Sequence, residues 1–278
     1  MAKKKKSINI GIGLGDNKID NHKILIASLD FLKNYNSFIY FFGKKDSLDI
    51  LLSQTAQNKE ISRIKLIECQ NPEKSIIHSL KENSIQAIVR GSLSSSKFLK
   101  NLKQDLNITK INRLAILETI QEDQFFYGPV GIDECNNLRD KIIFIESALK
   151  ELREIEIIPK ISILSGGRFD DIGREEKINQ SLQEADKIVD IMKEKYPKLM
   201  IFHDEILIEN AIENNSTLIV APNGISGNLI YRTLVHLGGG KAYGAIYMGI
   251  DKTIIDTSRV GGHSEYYGAL VLALTLSK

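Results

Sequence analysis

The sequence predicts an α/β protein built on mainly parallel sheets. Short apolar runs alternate with longer runs of helical spacing from Ser7 to Leu276. This is the pattern of strands covered by helices on both faces. The alternation restarts after Phe125-Phe126-Tyr127-Gly128-Pro129, so two βα series are expected. Several apolar runs also end in glycine-bearing polar turns, the places where α/β sheets display binding groups.

The elements follow in order. Ser7 to Leu14 reads as a buried strand that ends at Gly15-Asp16-Asn17. Asn21 to Asn34 has helical spacing, with Ile24, Leu25, Ala27, Ser28, Leu29, Phe31 and Leu32 inward. Ser37 to Phe42 is a strand, Leu48 to Ser53 a short helix and Arg63 to Cys69 a strand. Pro72 to Lys81 opens a helix, Ala87 to Val89 is a strand, Ser95 to Gln104 a helix and Asn112 to Leu117 a strand. The second series has helices over Asn136–Leu152, Glu175–Lys193, Glu205–Asn214, Leu229–Leu237 and Glu265–Leu276. Its strands are Lys160–Leu164, Leu199–His203 and Leu218–Ala221, with another strand after Lys241–Met248.

A chain of 278 residues is long for one domain, and 42% hydrophobic residues can fill two cores. The formal net charge of +2 implies neither a nucleic-acid nor a membrane partner. Lys3 to Lys6 form a basic tip, read as a solvated end. No apolar stretch approaches the roughly 18 residues of a membrane helix, and no signal peptide is recognised. A cytoplasmic protein is expected. Cys69 and Cys135 lack paired CxxC spacing and the five histidines show no HxxxH arrangement, so no metal site is expected. Cys135, in a turn beside Glu134, is either a reactive thiol or a buried bystander.

Six turns can carry chemistry. Gly11, Gly13 and Gly15 resemble the first loop of S-adenosylmethionine methyltransferases, but Asn9 stands where an acid is usual and no acid closes the next strand. The structural alternative is a crowded strand followed by a turn. Arg90-Gly91-Ser92-Leu93-Ser94-Ser95-Ser96-Lys97 joins a strand to a helix start, a place that suits phosphate; a plain serine cap is the alternative. Ser165-Gly166-Gly167-Arg168 continues to Asp170, Asp171 and Arg174. Its arginines either fork onto an anion or are neutralised by the aspartates. His203-Asp204-Glu205 reads as a helix cap, with His203 as a base the lesser alternative.

Pro222 to Arg232, with Asn223, Gly227 and Asn228, and Asp256 to Glu265, with Ser258, Arg259, His263 and Glu265, are the most informative stretches. A hydroxyl, a guanidinium and a carboxylate close in sequence suit anion binding and proton transfer. Glu265 at the start of a helix also complements the dipole.

At these residues the chain resembles the phosphate acetyl/butyryltransferase superfamily. Pro222-Asn223 through Gly227-Asn228-Leu229-Ile230-Tyr231-Arg232 and Asp256-Thr257-Ser258-Arg259 carry the likeness. Pro129 to Asp133 and Pro159 to Ser165 are similar to that family's central portion. Val89-Arg90-Gly91-Ser92, Ser165 to Arg168 and Ser258 to His263 resemble the methanogen group called methanogenesis marker protein 4 or MtxX, described as methyltransferase-related. The resemblance implies two α/β/α domains with a cleft between them, as in phosphotransacetylase and the isocitrate dehydrogenase-like fold. Residues 1–126 with 257–278 would form the first domain and 127–256 the second.

It also implies a cytosolic archaeal transferase acting on an anionic, phosphorylated or CoA-linked substrate in that interdomain cleft. Ser258 and Arg259 match the family's serine and phosphate-binding arginine, and Glu265 takes the place of its catalytic aspartate. Arg168, Arg90, Ser92, Gly227, Asn228 and Asn223 are expected to line the anion site. The acid is one methylene longer than the family's, Val260 replaces a usual glycine, and the family's first-domain arginine loop is not matched. CoA and S-adenosylmethionine are the candidate cofactors. A homodimer and a methyltransferase partner protein are the candidate assemblies. A methanogen C1 methyltransferase or its associate, and a non-catalytic binding protein, are the alternatives in function.

Overall fold

The computed structural model describes residues 7–49 and 59–277. The chain divides into two compact units, Met1–Ile111 with Ala242–Lys278, and Asn112–Lys241. Both joints fall earlier in the chain than 126/127 and 256/257, because the strand from Asn112 pairs within the second unit while the hairpin after Lys241 belongs to the first.

The first unit opens with β1 (Asn9–Gly13), α1 (Lys18–Asn34), β2 (Phe38–Gly43), β3 (Ile64–Glu68), α2 (Pro72–Lys81), β4 (Ala87–Val89) and α3 (Ser95–Asp105). The second contains β5 (Asn112–Glu118), β6 (Gln124–Gly128), α4 (Leu138–Glu154), β7 (Lys160–Ile163), α5 (Glu176–Lys195), β8 (Met200–His203), α6 (Ile208–Glu213), β9 (Leu218–Val220) and α7 (Gly224–His236). The chain then returns through β10 (Lys241–Met248), β11 (Thr253–Asp256) and α8 (His263–Leu276).

In the first unit the strand order is β3-β2-β1-β4-β11-β10. All neighbours are parallel except the β10–β11 hairpin. Ile10, Phe41 and Ile88 are wholly excluded from water between the sheet and its helices. The strands are apolar at consecutive positions because both faces are covered. Gly11 and Gly13 belong to this packing: a Cβ on Gly11 would stand 2.5 Å from Ile85 Cδ1, and one on Gly13 2.1 Å from Leu93 Cδ1. Helix α8 is apolar around its circumference and buries eight residues against α1, β4 and β11, as a helix enclosed on most sides must.

One buried cation fastens the ends of β4 and β11. The Arg90 guanidinium donates to the Asp256 carboxylate, to Leu93 O and to Thr257 O. Its side chain is 4% exposed and that of Asp256 10%. Thr257 Oγ1 adds a bond to Gly91 O at 2.9 Å. Gly91 adopts φ +63°, and a Cβ there would lie 2.1 Å from Gly13 O, so only glycine fits this turn.

In the second unit the order is β5-β6-β9-β7-β8, parallel except for β5–β6. Strand β6 occupies the segment expected to be a mere joint; its Phe125, Phe126 and Tyr127 are buried. Helix α7 begins at Gly224 rather than Leu229. Asn223 caps it, accepting from the Ile225 and Ser226 amides at 3.0 Å each, while its own N–H reaches Ser226 Oγ at 3.3 Å. That reciprocal capping carries the helix back through the residues expected to form a turn. Helix α1 likewise starts earlier than expected, capped by Asn17. The expected helix at Leu48–Ser53 runs into residues outside the described ones. Asp204 does not cap a helix side chain to backbone; α6 starts after Leu207 without a side-chain cap.

Two stability predictions follow from this packing. Gly227→Ala improves intrinsic helix propensity by about 1 kcal/mol, but its Cβ would meet Pro129 O at 1.9 Å. Overpacking against backbone costs roughly 1–3 kcal/mol or more, so chemical denaturation should show net destabilisation. Arg90→Ala leaves Asp256 buried without its partner and should cost about 3–5 kcal/mol; the double change Arg90→Met with Asp256→Leu should recover part of that loss in the same assay.

Candidate anion-binding site

The first unit's chain runs outward from β1 through β2 to β3, then crosses to β4 on the other side of β1. The β1/β4 boundary is therefore the topological switch point, where an open parallel sheet leaves a crevice beyond its carboxyl ends. A cleft of about 860 Å³ lies there. The segments after β1, β2, β3, β4 and β11 all contribute to its wall, through Leu14–Asn17, Lys44, Gln70–Glu73, Ser92–Ser94 and Arg259–Val260.

Its floor is ordered by a small polar network. Ser92 Oγ accepts from Gly15 N–H at 2.7 Å and donates to Asn21 Oδ1 at 2.7 Å. Asn21 Nδ2 and Ser47 Oγ both donate to Gly15 O at 2.8 Å. Ser92 thus locks the β1 turn to the β4 turn. Three helix starts converge on the cleft, with caps Asn17, Asn71 and Ser94. Asn17 and Asn71 satisfy their own helix amides, but Ser94 makes no side-chain cap hydrogen bond to α3. The α3 start is flanked by Lys97 and, one turn on, Lys100, both on the cleft wall. Orphan amides, the positive end of the helix dipole and two ammonium groups together favour an anion. Lys44, paired with Asp16 at 3.2 Å, and exposed Arg259 add positive charge. Asp16, Asp20 and Glu73 add carboxylates to the same lining, beside the α1 and α2 starts.

The turn after β11 is built around Glu265. This residue is 3% exposed, in the first turn of α8, and its Oε1 accepts the Ser258 N–H at 2.6 Å. Ser258 Oγ accepts from Val260 N–H at 3.3 Å. Tyr266 Oη donates to the carbonyls of Ser258 and Arg259 at 3.2 and 3.1 Å; burial pushes its hydroxyl well above the usual tyrosine range, keeping it a neutral donor. A Cβ at Gly261 would stand 2.6 Å from Glu265 Oε2. Ser258 and Glu265 do meet, through the serine amide. His263 turns away to Asp30, 2.9 Å distant.

The other expected ligands fall elsewhere. Arg90 is spent on the clamp between β4 and β11. In the second unit, exposed Arg168 enters a turn closed by its own N–H to Asp171 Oδ2 at 2.9 Å. Arg174 pairs with Asp171, so the aspartates neutralise that loop in part; these contacts hold the Asp171 carboxyl below the usual range. Asn223 is the α7 cap, Gly227 permits close packing on Pro129, and Asn228 Nδ2 donates to Val130 O at 2.8 Å. These three stand as structural contacts, because α7 extends through them. Cys135 is buried. Lys44, Lys100, Asn17 and Asn71 were not singled out from sequence; the asparagines carry a readable signal, an Asn just before a helix start. Among the described residues no His, Cys, Asp and Glu side chains gather in a group suited to a metal, and no helix is long and apolar enough to cross a membrane.

Comparison with known proteins agrees with this architecture. Residues 70–274 match the family model for phosphate acetyl/butaryl transferase. A Methanosarcina mazei protein, named as a proposed methyltransferase subunit, mtx subunit X, is 40% identical over 96% of this chain and 90% of its own length. A branched-chain phosphotransacylase from Enterococcus faecalis superposes with a TM-score of 0.70 at 17% identity, over 96% of this chain and 98% of that one. A 4-hydroxythreonine-4-phosphate dehydrogenase from Klebsiella pneumoniae shares the fold at a TM-score of 0.60 and 10% identity, over 97% and 98% of the two chains. With strands, switch point and sequence in agreement, the chain belongs to the phosphate acetyl/butaryl transferase family, alongside the mtx subunit X proteins.

Proposed function

We propose that the protein is a transferase of the phosphate acyltransferase-like class, taking an anionic substrate, phosphorylated or CoA-linked, in the cleft of its first unit. The observation that carries this reading is the α3 start without a side-chain cap, facing the same cleft as Lys97, Lys100 and Arg259. Arg259 forks onto the anion, Ser258 hydrogen-bonds the reacting oxygen and Glu265 moves the proton.

A second reading is supported by the name of the Methanosarcina mazei relative, a methyltransferase subunit. Under it, the protein acts with a methyltransferase partner. The glycines of the β1 turn do not favour S-adenosylmethionine as its ligand: Gly11 and Gly13 face Ile85 and Leu93, and a Cβ on Gly15 would meet Ser92 O at 2.5 Å.

Thermal unfolding with CoA, acetyl-CoA, acetyl phosphate, phosphate and S-adenosylmethionine tests these readings. A ligand at about 100 times its Kd stabilises the folded state by about 2.7 kcal/mol, a shift of several degrees for a unit of this size. A shift with CoA or acetyl phosphate, lost in Arg259→Ala and reduced in Lys97→Ala/Lys100→Ala, is the expected result. A shift with S-adenosylmethionine alone would transfer the assignment to the methyltransferase reading. Where acyl transfer is detected, Arg259→Lys should lower turnover sharply, since a point charge cannot replace a fork. Glu265→Gln keeps an oxygen for the Ser258 amide but cannot take a proton. Turnover should fall about 10²-fold or more if Glu265 is a general base, with the melting temperature nearly unchanged; undiminished turnover would leave it a purely structural residue.

A further inference from the structure

The second unit holds a hydrogen-bonded chain of three side chains that the reading above does not use. His203 ends β8, in register with Ile163 at the end of β7. Its Nδ1 lies 2.7 Å from Asp186 Oδ1 on α5, and its Nε2 lies 2.9 Å from Ser165 Oγ, just beyond β7. The imidazole is 5% exposed, whereas Asp186 is 52% exposed. The Phe169 ring stands edge-on to the imidazole, with centroids 5.1 Å apart.

Geometry fixes the proton positions. A carboxylate only accepts, so Nδ1 carries its hydrogen toward Asp186. In the neutral ring the Nε2 lone pair then faces Ser165 Oγ and takes the hydroxyl hydrogen bond. Gly167 O, 3.1 Å from the same Oγ, is a second acceptor. When the ring is protonated, Nε2–H donates to Oγ and the hydroxyl turns to Gly167. The serine is thus hydrogen-bonded in both states of the base. Ser165 and Gly166 line a cavity of about 360 Å³. Its wall is largely apolar, with Ile178, Ile206 and Ile230, and Lys177, Ser181, Asn223 and Ser226 supply the polar lining. A nucleophile that borders a cavity and a base held by a third group are two of the parts of acyl transfer by serine.

We propose that Ser165, His203 and Asp186 form a second, nucleophilic site that takes a small activated acyl ester in this cavity. Ser165 Oγ attacks the carbonyl carbon as its proton passes to His203 Nε2. The ester C–O bond breaks, and the leaving alcohol departs with that proton. Water then attacks the acyl-serine, again giving its proton to Nε2, and the acid leaves as Ser165 recovers its hydrogen. The sum is ester plus water to acid plus alcohol. Asp186 touches no reactant; it is a positioning residue that holds the tautomer.

Diisopropyl fluorophosphate, which phosphorylates an activated serine with loss of fluoride and a proton, tests the site on the full-length protein. Peptide mass spectrometry should place the label on Ser165. His203→Gln should slow labelling about 10²-fold or more. Asp186→Asn, a change at a half-exposed position that should leave the fold intact, should slow it, and Asp186→Glu should restore it, which a merely structural contact would not do. p-Nitrophenyl acetate hydrolysis should fall in the same order. Absence of label at Ser165 in the unmodified chain, or labelling indifferent to both His203→Gln and Asp186→Asn, would overturn the proposal.

Discussion

The first unit depends on one buried charge. The Arg90 guanidinium has left water and can remain only where acceptors replace its hydration. Those acceptors are the Asp256 carboxylate and the carbonyls of Leu93 and Thr257. They come from the turn after β4 and from the end of β11, elements separated in sequence by the whole second unit. The clamp therefore makes one rigid piece of two turns, and that piece carries Ser92, the α3 start and the Ser258–Arg259 segment. Ser92 extends it to the β1 turn through Gly15 and Asn21. Arg259 is exposed and lines the same cleft.

Local arrangement outweighs total charge in this cleft. A formal net charge of +2 implies no long-range attraction, yet three helix starts and the lysines Lys44, Lys97 and Lys100 all border this cleft. Helix-terminal fields fade within a turn, so such a site acts at contact range. The carboxylates of Asp16, Asp20 and Glu73 on the same cleft restrict where an anion can sit, which favours a ligand whose charge is placed at particular points.

The second unit uses polar groups differently. Asn223, Gly227 and Asn228 are consumed in starting α7 and seating it on the Pro129–Gly131 segment. A motif of this kind resembles a ligand loop in sequence because both uses need small residues and amide donors. The difference lies in whether the amides point into the fold or out of it. His203, by contrast, is a side chain with both ring nitrogens engaged by side chains from other elements, one of which, Ser165, lines a cavity.

The sequence alone determined the parts governed by short-range rules. Apolar runs of three to seven residues located most strands, and Pro72 at a helix start placed α2 at its observed bounds. Crowding at Gly11 and Gly13 was legible as a structural alternative, and the Ser258–Glu265 turn was found from its residue types. Only the tertiary structure decided the rest. The strand order makes β1/β4 the switch point, and no local pattern encodes which strand crosses over. Arg90 looked like a ligand because sequence shows a cation after a strand, not the Asp256 carboxylate that waits 166 positions away. Lys44 and the α3 lysines Lys97 and Lys100 border one cleft only when the end of β2 and the start of α3 meet, and Ser165, His203 and Asp186 become neighbours only when β7, β8 and α5 pack. Proximity across long sequence separation is a property of the folded topology, and there the local code ends.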